Sequence, residues 1–147
     1  LRCVDEGIAP ETIDAALTAF GMPMGPIELV DTVGLDIAVA AGKALAGADA
    51  VLPKGLADRV AAGNLGKKSG RGFYRWQAGK VQRPEAGAVP EGLATRIVAP
   101  MLLAVENCVR NNVVADADLA DAGVIFGTGF APFTGGPLNF VAASARS

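Results

Sequence analysis

The side chains of this chain that could do chemistry are few, and none is a histidine. Any mechanism that needs a His general base, a His metal ligand or a Ser-His-Asp triad must draw that residue from elsewhere. Glu28, Asp31 and Asp36 surround a Gly25-Pro26 pair that reads as a helix start. Glu28 and Asp31 are spaced to share one helix face, as a general acid/base pair requires. Acids at a helix start also complement its macrodipole, which is a structural role. Cys3 and Cys108 have neither the number for a disulfide framework nor the spacing of metal ligands. Cys108 falls on the apolar face of a predicted helix, which suits a buried free thiol in a reducing cytoplasm. The chain is expected to carry no catalytic residue and no metal site of its own.

The richest cluster of functional groups is a glycine-punctuated basic loop: Lys67, Lys68, Arg71 and Arg75 beside Phe73, Tyr74 and Trp76. Four cations next to aromatic rings can grip the phosphates and adenine of a nucleotide-like handle such as coenzyme A. The same residues also suit a strap whose aromatics anchor on helices while its cations stay solvated. The known phosphate loops do not fit. Gly66-Lys67 is followed by Lys68, and Ala61 stands where a P-loop needs its first glycine. Gly70-Arg71-Gly72 has Arg75 in place of the third glycine of a dinucleotide fingerprint, and Gly127-Thr128-Gly129 runs into Pro132. A nicotinamide cofactor, if one is used, is expected to sit in another domain. Met22 and Met24 flank Pro23 in a pliable apolar turn that suits either core packing or the wall of an acyl-chain pocket.

These groups sit in an apolar, nearly neutral chain of 147 residues, 51% hydrophobic and 19% charged, with a formal charge of −2. Such a composition excludes disorder, and it offers no excess cation for nucleic-acid phosphates. The longest membrane-like stretch, Leu35 to Val51, is broken by Asp36, Lys43 and Asp49, so no span is expected. Leu1 to Glu6 has neither a basic leader nor an apolar signal core. It reads as the cut end of a longer, cytoplasmic chain, resuming inside a helix.

The elements that position these groups are helices. Ile13, Ala16, Leu17 and Phe20 follow helical spacing from Pro10, and Gly21 stops that helix. Pro26 opens a second helix through Val33, which Leu35, Ala38, Val39 and Leu45 continue past a joint at Gly34. Lys54 to Ala62 is a shorter helix closed by Gly63. Gly72 to Trp76 has the character of a short strand, and Val81 to Pro90 reads as a linker. Beyond it, Leu93, Ile97, Met101, Val105 and Val109 stripe a long helix from Gly92 to Asn112, in which Pro100 should produce a kink. Asp116 to Phe126 is a further helix stopped by Gly127, and Pro137 opens the last one.

An internal repeat runs through this order. A helix ending Phe20-Gly21, a proline turn and a Gly25-Pro26 helix start are matched by Phe126-Gly127, a proline turn and Gly136-Pro137. The organisation expected is a first helical unit over residues 1–80, a linker over 81–91 and a second unit over 92–147. The fold class is all-α, two related helical units with a short glycine-rich aromatic strap.

Val4-Asp5-Glu6-Gly7-Ile8-Ala9, Phe20-Gly21-Met22-Pro23-Met24-Gly25-Pro26 and Glu28 through Asp36 resemble the C-terminal domain of 3-hydroxyacyl-CoA dehydrogenases. Gly66-Lys67-Lys68-Ser69-Gly70-Arg71-Gly72-Phe73-Tyr74 is similar to the segment that ends that domain. Residues around Pro100-Met101 and Gly127 to Gly136 resemble the degenerate second copy found in the large multifunctional subunits of fatty-acid β-oxidation. The resemblance implies a fold like the helical dimerisation domain of 6-phosphogluconate dehydrogenase. It implies oxidation of an L-3-hydroxyacyl-CoA with hydride passing to NAD. The family's His-Glu pair, its Ser and its Asn have no counterpart in this chain. NAD is thus expected to be bound by a preceding dinucleotide-binding domain, and the isolated chain is expected to be inactive. Met22, Met24, Gly25 and Pro26 are the expected acyl-facing residues, and Lys67, Lys68 and Arg71 the candidate CoA-phosphate contacts. The resemblance further implies that the second unit buttresses the first, with a thiolase subunit or a second copy as partner. Two other readings use the same residues: a helical assembly module without a site, and the helical half of a different hydroxyacid dehydrogenase.

Overall fold

The computed structural model describes residues 1–47 and 51–145. Asp49, one of the charges read as breaking the apolar stretch, and the end of the second unit at Ser147 lie outside the described residues. The chain divides into two compact units, one of Leu1–Ala15 with Met24–Val89, the other of Ala16–Pro23 with Pro90–Ser147. Among the described residues the architecture is all-α apart from one small hairpin.

The first unit holds α1 (Arg2–Asp5), the start of α2 (Pro10–Ala19), α3 (Pro26–Val33), α4 (Leu35–Ala46) and α5 (Lys54–Ala61). A 3₁₀ turn over Lys67–Ser69 leads into an antiparallel hairpin of β1 (Arg75–Gln77) and β2 (Lys80–Gln82), with Trp76 opposite Val81. Ile13, Ile27, Leu35, Leu56 and Tyr74 form its buried core. The joint between α3 and α4 lies at Gly34, whose φ of 115° suits only glycine without strain. Val81 and Gln82, read from the sequence as the start of the linker, instead complete the hairpin. Their partner strand is two residues away across an Ala78-Gly79 turn, with both turn residues at positive φ, and Gly79 makes that turn accessible.

The second unit takes the end of α2 and adds α6 (Leu93–Arg110), α7 (Ala117–Thr128) and α8 (Pro137–Ser144). Here Phe20 meets the fully buried Phe130 and the ring of Phe140 edge-on, with centroids 5.6 and 5.2 Å apart. α6 stays continuous through Pro100. It buries Leu93, Val98, Leu102 and Val105, whereas the expected stripe members Ile97, Met101 and Val109 are only half-buried. Cys108 is likewise half-buried, not buried as its place on the apolar face suggested. α7 starts at Asp116, whose side chain accepts the Leu119 N–H at 2.9 Å, and closes on left-handed Gly129, two residues beyond the Gly127 stop.

The repeat is real in its helix starts but not in its Phe-Gly pairs. Phe126 is 90% exposed, while Phe20 packs in a core. The equivalent residues are Asp14 and Asp121, each the fifth of its helix and each buried. Each carboxylate accepts from the first free N–H groups of the helix opened by the next Gly-Pro pair.

Candidate functional site

Three helix starts are held by carboxylates from earlier helices. Asp14 accepts from Ile27 N at 2.7 Å and Glu28 N at 3.0 Å, satisfying two orphan donors of α3. Asp121 accepts from Leu138 N at 2.7 Å and Asn139 N at 3.0 Å at the start of α8. Asp5 does the same for α5, at Lys54 N and Gly55 N. At such an N-terminus the partial positive charge and two free donors favour an anion. The glycine before each Gly-Pro proline makes room: an added Cβ would lie 2.2 Å from Asp14 Cγ at Gly25, and 2.3 Å from Asp121 Cβ at Gly136.

Asp14 also accepts the phenol of Tyr74 at 2.8 Å. Burial pushes its carboxyl above the usual range, against the downward pull of Ile27 N–H, the Tyr74 hydroxyl, Glu28 N–H and the Arg83 charge. Tyr74 is buried, and desolvation, followed by the bond to Asp14 and its charge, lifts the phenol far above its ordinary value. It is therefore a fixed donor with no proton to exchange near neutrality.

Asp31 is the second hub. It accepts from Phe73 N and Tyr74 N at 2.9 Å each, and from Trp76 Nε1 at 3.1 Å. The fully buried carboxylate thus anchors the aromatic strap to α3. An added Cβ at Gly72 would come within 2.2 Å of Asp31 Oδ1. Glu28, Asp31 and Asp36 do not share a reactive centre. Glu28 pairs with Arg83, Asp31 holds the strap, and Asp36 sits 2.6 Å from Lys68 Nζ, a bond that holds its carboxyl below the usual range. Every one of these acids is committed to a donor, which makes the constellation a scaffold. Among the described residues, no three His, Cys, Asp or Glu side chains gather as a metal site.

The residues singled out from the sequence are dispersed. Lys68 pairs with Asp36, and Lys67 lies 5.5 Å from the centroid of the Trp76 ring. Arg71 instead lines a cavity of about 490 Å³ with Arg59 and Arg75. Gly25 is buried under Asp14 and Pro26 is half-buried. Met24 is 37% exposed, and Met22 is half-buried. Sequence reasoning missed the hub roles of Asp14 and Asp121. The available signal was a carboxylate on the otherwise apolar face of the helix preceding each Gly-Pro. Among the described residues the two strands form one antiparallel hairpin.

The chain as a whole has known relatives. The family model of the 3-hydroxyacyl-CoA dehydrogenase C-terminal domain matches residues 1–76. The chain belongs to this family. It is 33% identical over 163 residues to the fatty acid oxidation complex subunit alpha of Shewanella sp. (strain ANA-3), covering 92% of this chain and 22% of that protein. The namesake from Shewanella loihica is 32% identical over 159 residues, with the same coverage of 92% and 22%. The chain thus spans about a fifth of the length of the curated relatives it matches. A solved structure, 3-hydroxybutyryl-CoA dehydrogenase from Escherichia coli K12, is 39% identical, covering 62% of this chain and 21% of that one with a TM-score of 0.47.

Proposed function

We propose that this chain is the helical part of an NAD-dependent L-3-hydroxyacyl-CoA dehydrogenase of fatty-acid β-oxidation. In this reading it lines the acyl-CoA cleft and supplies domain or subunit contacts, and it is inactive alone. The observation that carries the reading is the family match over a unit whose buried acids all serve as clamps. A rigid wall is what such a domain has to contribute. NAD, when bound, accepts the hydride, and a dinucleotide-binding domain outside this chain holds it. Met22, Met24, Gly25 and Pro26 form the acyl-facing wall, with the exposed Met24 as the principal apolar contact, and a closed apolar wall keeps water from the hydride path. Lys67, Lys68 and Arg71 are the CoA-phosphate contacts. A thiolase subunit or a second copy is the partner, and the setting is the cytoplasm. No described helix is long and apolar enough to cross a membrane.

Calorimetric titration of the chain with acetoacetyl-CoA, free CoA and NAD tests this reading. Saturable acetoacetyl-CoA binding, weakened by Met24→Ser and unaccompanied by NAD binding, supports it. Absence of acyl-CoA binding, or NAD binding by the chain itself, overturns it.

A further inference from the structure

The cavity beside the strap has three arginines among its lining residues. Arg59, Arg71 and Arg75 line it together with Asn64 and Gln82, and Glu11 is the one acid among its lining residues. Among the described residues no ion pair engages any of the three arginines. Like charges around one hollow repel, and that cost persists in the folded chain unless an anion enters. The volume, about 490 Å³, is that of a small-molecule site.

The Arg59 guanidinium, and the backbone that carries Arg71 and Arg75, are held in place before any ligand arrives. Arg59 donates to Gly55 O at 2.8 Å, and its guanidinium stacks 4.1 Å from the Phe73 ring centroid. Arg71 stands on a loop closed by Ser69, whose hydroxyl bonds Gly66 O and Arg71 O while accepting Leu65 N–H. Phe73 and Tyr74, between Arg71 and Arg75, are pinned by Asp31. Ordering costs paid in folding are not paid again on binding. Planar forks with amide donors beside them match tetrahedral oxyanions better than single carboxylates.

We propose that this cavity is a phosphate-binding site, held by Arg59, Arg71 and Arg75, for a ligand carrying clustered phosphate charge. It deepens the reading of Arg71 as a phosphate contact and rests on that reading for this residue alone. Lys67 and Lys68, engaged by the Trp76 ring and Asp36, lie outside the lining of this cavity and are not part of the proposed site.

The test is calorimetric titration of the full chain with inorganic pyrophosphate, adenosine 3′,5′-bisphosphate and succinate. Pyrophosphate is expected to bind saturably, one per chain, and Arg71→Gln and Arg75→Gln are each expected to weaken it about tenfold, the loss of a charge-assisted contact. Both side chains are exposed, so the fold should survive, with Trp76 fluorescence as the check. Lys80→Gln, the same charge change away from the cavity, should leave the affinity unchanged. Tighter binding of the bisphosphate assigns the site to a nucleotide tail, and weaker binding to free phosphates; both outcomes support the proposal. Absence of saturable pyrophosphate binding, equal affinity for succinate, or an equal loss in Lys80→Gln overturns it. Pyrophosphate carries no acyl chain, so this result and that of the acetoacetyl-CoA titration can fail separately.

Discussion

Gly25 leaves no room for a side chain beside Asp14: an added Cβ would lie 2.2 Å from Asp14 Cγ and 2.4 Å from Oδ1. The missing methyl lets the carboxylate reach both Ile27 N and Glu28 N. Because Gly25 has φ of −67°, the constraint is steric and not conformational. Gly25→Ala is therefore expected to destabilise the chain by about 3 kcal/mol, from overpacking and a displaced cap together. Chemical denaturation of the variant measures this, and a loss under about 1 kcal/mol would show that the clamp yields easily.

Asp14→Ala removes the acceptor and strands three donors in a buried place: two backbone N–H groups and the Tyr74 hydroxyl. A cost of about 3 kcal/mol is expected. Asp121→Ala should cost about as much in the second unit, where Leu138 N, Asn139 N and Asn139 Nδ2 lose their partner. If either alanine proves neutral in denaturant titration, the carboxylate clamp is not what holds that helix start.

Tyr74 is the single tyrosine of the chain, so its ionisation can be followed alone. Its folded pKa lies above the ordinary phenol value of 10.0. The unfolded chain thus loses the proton first, and the stability contributed is full below pH 10 and declines as pH rises beyond it. Absorbance titration should show no phenolate until the chain unfolds in alkali. Phenolate formation near pH 10 with native Trp76 emission intact would contradict the buried bond to Asp14.

Trp76 is the single tryptophan, and its indole N–H rests on Asp31. Asp31→Ala should release the strap, leaving Phe73 N and Tyr74 N unpaired. The emission of Trp76 is expected to shift to the red, with a stability loss of about 3 kcal/mol. An unshifted spectrum would mean that the hairpin, not the carboxylate, holds the indole.

Asp116 caps α7 in the ordinary way, with Leu119 N at 2.9 Å in an exposed setting. Asp116→Ala should cost only about 1 kcal/mol by thermal unfolding. The contrast with Asp121 separates a local cap from one that ties two helices together.

Much of this protein is legible in its residues read one after another. Pro10, Pro26 and Pro137 open helices, Gly34 separates α3 from α4, and the spacing of Ile13, Ala16 and Leu17 marks a buried face. These are local properties, set by proline's fixed φ, glycine's freedom at positive φ and the 3.6-residue period. The Gly-Pro repeat and the family resemblance belong to the same level. What only the tertiary structure decided is which acid meets which donor. Asp31 lies on α3 like any first-half helix acid, yet its partners are 42 to 45 residues away in the strap. Asp14 and Asp121 lie 13 and 17 residues before the N–H groups they hold, so no fixed spacing announces them. Likewise Lys67, Lys68 and Arg71 form one run in the sequence but face a ring, a carboxylate and a cavity. A side chain's type states what it can bind, and its periodicity states which face it occupies. Its partner is set only when folding brings distant backbone donors into the same dry space, where an unmatched charge or N–H is too costly to leave.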